Sequence, residues 1–257
     1  MKRSDLIYEN GVINAKREGI NVHHFNTEGT KICEITVEEQ GEKLIGRSKG
    51  KYFTLFYGGD MKAALKAVLD RLIPKGKALV AGLGNKEICS DSLGAKALRY
   101  IPATAHLSEH EDFSALDMRE VYVIETGVTG QTGIESKDRI SYIAKGVGAD
   151  FIIAIDSLTC IEADRLCRTI QVTDTGIAPG SGVGNNRSRI DSTSCGVPVI
   201  AIGVPTVIDM EVGGETLMVT PRNIDSTTAE FGRIIGLSVS SALNPSLTEE
   251  EILSLII

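Results

Sequence analysis

The apolar positions of this chain fall into two kinds of run. Short, nearly unbroken apolar stretches recur at 78–81, 121–125, 150–156, 169–173 and 197–203. They are too brief for helices and do not alternate, which predicts strands buried on both faces. Between them the spacing becomes helical. Met61, Ala64, Leu65, Val68, Leu69 and Leu72 lie on one face of 60–73, and Pro74 ends the pattern. Segments 91–99 and 136–145 read as further helices, the first capped by Ser90 or Asp91, the second with Ile140, Ile143 and Ala144 inward. Segments 225–241 and 247–256 read as closing helices. Nearer the start, 31–38 alternates as a strand does and 51–57 is a second strand, while 1–30 reads as an irregular arm.

Strands alternating with helices predict an α/β fold in three layers, a mostly parallel sheet with helices on both faces. The 257 residues suit one such domain. Residues 1–57 are expected to form an N-terminal arm and a small β-rich appendage, and 58–257 the α/β core.

Three glycine-rich turns follow apolar runs: Gly82-Leu83-Gly84-Asn85, Gly127-Val128-Thr129-Gly130-Gln131-Thr132-Gly133, and Gly176 to Gly184, with four glycines in nine residues. Glycine costs backbone entropy on folding, so such density marks turns or close backbone approach. In open α/β sheets ligands bind beyond the carboxyl ends of the strands. The three turns therefore predict a site built from loops at one sheet edge. Gly84, Asn85, Gly130, Gln131, Thr132, Gly180, Ser181 and Gly182 are its expected substrate-binding or loop-supporting residues.

Charge narrows the partners. Asp and Glu outnumber Lys and Arg, 34 to 27, for a net charge of -7. This disfavours nucleic acid and anionic membrane surfaces, both of which reward basic excess. Trp is absent, which disfavours stacking platforms for bases. No apolar run approaches the roughly 18 residues of a membrane helix. No apolar segment follows the first charged residues, and five cysteines without a Cys-x-x-Cys read as reduced thiols in a cytoplasmic protein.

Carboxylates supply the candidate chemistry. Asp156 ends one apolar run, Asp91 stands at a helix start beyond the first Gly turn, and Glu125, Asp174 and Asp209 also follow apolar runs. Two carboxylates at close range share a proton, so one acts as base toward water and the other as acid. The same pair could hold a divalent metal. Each also has a plainer reading: Asp91 as a helix cap, Asp156 as a partner of loop amides, Asp174 as a turn former. Ser181 lacks the strand–elbow context of a serine nucleophile. His106 and His110 have helical metal-ligand spacing without the intervening pattern of a zinc peptidase.

Several strings resemble the germination protease family of endospore-forming bacteria. Gly82-Leu83-Gly84-Asn85 with Ser90-Asp91-Ser92-Leu93-Gly94 is similar to its Gly-Leu-Gly-Asn…Pro-Asp-Ala-Leu-Gly. The turn from Gly127 to Gly133 is similar to its Gly-Val-x-Gly-Gln-Thr-Gly, and Ala154-Ile155-Asp156-Ser157-Leu158 to its Ala-Ile-Asp-Ala-Leu. The stretches 169–185 and 196–207 resemble it nearly throughout, and Arg3-Ser4-Asp5-Leu6-Ile7-Tyr8-Glu9 is similar to Arg-Thr-Asp-Leu-Ala-x-Glu near the point where family zymogens are trimmed. The resemblance implies an atypical aspartic endopeptidase that degrades small acid-soluble spore proteins, with Asp91 and Asp156 essential. It also implies a fold like that of hydrogenase-maturation endopeptidases, a homotetramer, and a place in the forespore. No metal, cofactor or direct nucleic-acid contact is expected. The alternatives are a metal-assisted peptidase and a non-catalytic peptide-binding paralogue.

Overall fold

The structure, a computed structural model, describes residues 4–9, 18–180 and 188–256. A hairpin of β1 (Ile20–Thr27) and β2 (Thr30–Val37) leads through α1 (Glu39–Ile45) to β3 (Gly50–Phe56). Then follow α2 (Met61–Asp70), β4 (Ala78–Leu83), α3 (Leu93–Leu98), α4 (Glu111–Ala115), β5 (Val121–Gly127), α5 (Thr129–Thr132) and α6 (Ser136–Val147). The second half runs β6 (Phe151–Cys160), β7 (Thr169–Thr173), α7 (Ser192–Cys195), β8 (Val199–Val212), β9 (Glu215–Val219), α8 (Ile224–Leu243) and α9 (Glu249–Ser254).

The nine strands among the described residues form one sheet, ordered β1-β2-β3-β7-β8-β6-β4-β5, with β9 pairing to β8. Strands β5, β4, β6 and β8 are mutually parallel. Their apolar runs are continuous because both faces are covered. Val80, Ile153 and Ile202 face one layer made by Leu65 and Val68 of α2, Ala97 of α3, and Phe231 and Ile235 of α8. The alternate positions Leu79, Ala81, Ile152 and Ala154 face Ile140 and Ala144 of α6. Gly94 sets how closely α3 sits on this sheet, since a Cβ there would stand 2.4 Å from the Leu83 carbonyl oxygen.

The structure differs from the sequence reading in three ways. Part of the expected N-terminal arm is β1, an edge strand. Its turn, Glu28-Gly29, has φ of 51° and 77°, the two-residue geometry that matches strand twist. The expected β-rich appendage is continuous with the core sheet, because β3 pairs with β7 from Tyr52 opposite Thr173 to Phe56 opposite Thr169. Finally, β7 runs antiparallel to β8.

Candidate active site

Strand β6 pairs with β4 only as far as Ile155, opposite Gly82, but with β8 as far as Cys160, opposite Ile208. The sheet therefore opens on the β4 side at Asp156. The sequence places Asp156 at a strand end; it lies in mid-strand, opposite Gly203, because β8 continues to offer partners. Asp156 is 5% exposed, and its Oδ1 accepts the Ser157 N–H at 2.9 Å.

Asp91 arrives from the other side of that opening. It closes a 3-10 turn, Cys89–Asp91, in the segment between β4 and α3. Its N–H donates to the Ile88 carbonyl at 2.8 Å, and its Oδ2 accepts the Asn85 N–H at 2.8 Å. Gly84 makes this possible, with φ of +93° and room for no side chain: a Cβ would stand 2.2 Å from the Asp91 carbonyl oxygen. The expected capping role for Ser90 or Asp91 is not adopted. Ser92 takes the N-cap position without a side-chain cap bond, its hydroxyl donating instead to the Cys89 carbonyl.

Asp91 and Asp156 line one cleft of about 360 Å³. Gly84, Asn85 and Gly180 line it too, and Ile88, Val128 and Met218 give it an apolar rim. The second Gly turn contributes differently from its neighbours. Val128 and Ser136 reach the cleft, whereas Gly130, Gln131 and Thr132 are not among the residues that line it. Gln131 Nε2 donates to Asn85 Oδ1 at 3.0 Å and so clasps the two loops together. Thr132 Oγ1 lies 3.3 Å from the Val128 carbonyl and 3.1 Å from that of Ile134 and shapes its own turn, and Gly130 is exposed.

The third Gly turn does not start at the same edge as the others. Its strand, β7, is antiparallel, so the chain leaves the sheet at the opposite end. It doubles back through Gly176, at φ +77°, bridges Ile177 to Ile190, and brings Pro179 and Gly180 to the cleft. Ser181 and Gly182 lie outside the described residues.

The other candidate carboxylates have local partners or lie elsewhere. Glu125 pairs with Lys86 at 3.2 Å on the surface, and Asp174 Oδ1 accepts the Lys51 N–H at 2.7 Å. Asp209 lies in β8 opposite Met218. Burial pushes the Cys160 thiol up to about 12 and Cys167 to about 11, which keeps both protonated near neutrality. His106 and His110 are exposed. Among the described residues no three His, Cys, Asp or Glu side chains are grouped to hold a metal ion. Nor is any described helix long and apolar enough to cross a membrane.

Several site residues were not picked out by the sequence reasoning. Asp5 lines the cleft, its N–H donating to the Thr159 carbonyl at 3.0 Å while its Oδ2 accepts the Thr159 N–H at 2.8 Å. Thr206 lines it from β8. A second cavity of about 80 Å³ adjoins the cleft at Asp5 and Leu158 and is lined by Arg47, Arg189, Tyr52 and Gln171. Burial lowers the pKa of the Arg47 guanidinium, with the Asp5 carboxylate opposing that effect. A conservative sequence reading finds no signal for these residues, since an isolated arginine or threonine has no periodicity of its own.

Known proteins match this chain in sequence along most of its length. The family model described as germination protease matches residues 5–215. The germination protease of Priestia megaterium is 38% identical over 233 residues, covering 84% of this chain and 61% of that protein. The chain thus spans less than two thirds of that relative. The germination protease of Caldanaerobacter subterraneus is 33% identical, and the match covers 97% of this chain and 96% of that protein. Among solved structures, the NiFe hydrogenase maturation protease HycI from Thermococcus kodakarensis aligns with a TM-score of 0.40 and 15% identity, covering 68% of this chain and 98% of that one. A family match running from Asp5 to Glu215, with relatives a third or more identical along most of the chain, leads to one assignment: the chain belongs to the germination protease family.

Proposed function

We propose that this chain is an endopeptidase of the atypical aspartic type that cuts small acid-soluble spore proteins, with Asp91 and Asp156 activating water. The observation that carries this reading is the meeting of these two carboxylates, from separate elements, in one cleft. One carboxylate takes a proton from water as the water oxygen bonds to the scissile carbonyl carbon. The other, protonated, donates to the carbonyl oxygen. Collapse of the tetrahedral adduct breaks the C–N bond, and the leaving nitrogen takes up a proton. One water is consumed and both side chains return to their starting states. The apolar rim suits an extended peptide. The adjoining cavity, with Arg47 and Arg189, suits a carboxylate side chain near the scissile bond. A homotetramer working in the spore core completes the proposal.

The test is incubation of the purified chain with a small acid-soluble spore protein, with and without chelator, followed by intact-mass and fragment mass spectrometry. Discrete fragments that persist in chelator and vanish in Asp156→Asn support the carboxylate pair. Fragments lost on chelation indicate metal-assisted cleavage by the same residues. A folded chain that binds the substrate and never cuts it overturns the enzymatic reading.

A further inference from the structure

Two slips of register flank the loop that carries Asp91, and each sets a threonine apart. Between β4 and β5, Gly82 faces Glu125 but Leu83 faces Gly127, leaving Thr126 as the extra residue. Between β6 and β8, Leu158 faces Pro205 but Thr159 faces Val207, leaving Thr206. A bulge of this kind turns its extra residue out of the alternation of the strand and re-aims its side chain. Both threonines are 1% exposed, so each hydroxyl needs a partner inside the protein. Thr206 Oγ1 donates to the Ser90 carbonyl at 2.7 Å, the peptide unit that leads directly into Asp91. Thr126 Oγ1 lies 3.3 Å from the Gly82 carbonyl, where the same loop begins, and 3.1 Å from that of Gly127. The Thr206 carbonyl is itself held by Thr220 Oγ1 at 2.9 Å. Between those two anchors the stretch from Lys86 to Cys89 is exposed.

We infer that the bulged threonines, Thr206 foremost, are positioning residues that set where the Asp91 carboxylate stands relative to Asp156. The inference rests on the reading of Asp91 and Asp156 as the water-activating pair. Thr206 works through the Ser90 carbonyl, so its loss displaces Asp91 while both carboxylates stay chemically intact. A displacement near 1 Å at a reacting group costs on the order of a hundredfold in rate.

The test compares Thr206→Val, Thr206→Ser and Thr126→Val, with Asp91→Asn as reference. The measurements are kcat and KM on a spore-protein substrate, corrected for folded fraction by circular dichroism. Thr206→Val is expected to lose roughly ten- to a hundredfold in kcat, with KM within about twofold. Thr206→Ser, which keeps the hydroxyl, is expected within about threefold of the parent, and Thr126→Val between the two. Folded Thr206→Val with parental kcat overturns the inference, as does a serine variant no better than the valine one. If Thr206→Val does not fold, Thr206→Ala against Thr206→Ser decides, because the two differ by one oxygen. Equal kcat in that pair overturns the inference. An active Asp91→Asn overturns the underlying reading instead, whatever the threonines do.

Discussion

The two aspartates stand on unlike foundations. Asp156 follows five buried residues, Phe151 to Ile155, in a strand flanked on both sides. Asp91 ends a loop whose middle, Lys86 to Cys89, is exposed. One carboxylate is held by the sheet and the other by a clasp of single bonds: the Asn85 amide, the Gln131 side chain, the Thr206 hydroxyl. Where two groups must meet, the one on the irregular segment needs the more specific sequence, and the glycines and polar residues of 82–91 are that specification.

The largest expected effect tests whether both halves are needed. Asp156→Asn and Asp91→Asn should each lower kcat by about a thousandfold or more, the upper range for losing one member of an acid–base pair. Cleavage assays on folded variants check this, and near-parental activity in either would break the pairing. The next contrast separates clasp from ornament within the glycines. Gly84→Ala places a Cβ 2.2 Å from the Asp91 carbonyl oxygen at φ +93°, so it should cost about 2 kcal/mol or more and most of the activity. Gly130→Ala meets nothing within 4 Å and should change stability by less than about 0.5 kcal/mol. Thermal melts of the pair measure the difference. Arg47→Met should raise KM about tenfold for a peptide with an acidic residue beside the scissile bond, and leave KM for the neutral analogue unchanged. Equal effects on both peptides would remove the acidic subsite. The smallest effect belongs to the exposed tie between the first glycine loop and β5. Lys86→Met breaks an exposed pair with Glu125 and should move stability by less than about 1 kcal/mol and kcat by less than twofold.

Much of the scaffold was legible because burial writes a simple pattern. The runs at β4, β6 and β8 are apolar without interruption since helices cover both faces. Strand β1 was not legible: the alternation begun by Ile20 and Val22 breaks at His24, which follows His23 directly, and as an edge strand β1 pairs with β2 alone among the described residues. The direction of β7 was readable from a signal left unused. The link from Cys160 to Thr169 is too short for the crossover that parallel strands need, which requires about a dozen residues or more. The Gly213-Gly214 turn between β8 and β9, with φ of 62° and 87°, was a similar unused hairpin signal. At the site, strand-end reasoning singled out Asp91 and Asp156, and both line one cleft. It could not reach Asp5, Thr126 or Thr206. A bulge is a mismatch between two strands distant in sequence, so neither strand alone records it.

Gly94 has a consequence in the time domain. A Cβ there would meet the carbonyl oxygens of both Leu83 and Ile155, at 2.4 and 2.8 Å, so the first turn of α3 rests on β4 and β6 together. Ile155 is the residue before Asp156, and α3 begins two residues after Asp91. The contact at Gly94 thus ties the start of α3, just after Asp91, to the strand residue just before Asp156. Relative motion between the two carboxylates is left to the exposed stretch after Gly84, whose loop fluctuations fall in the nanosecond-to-microsecond range. On the proposed reading of the two aspartates, the distance between them is thereby averaged far faster than the roughly 10 turnovers per second of a typical enzyme.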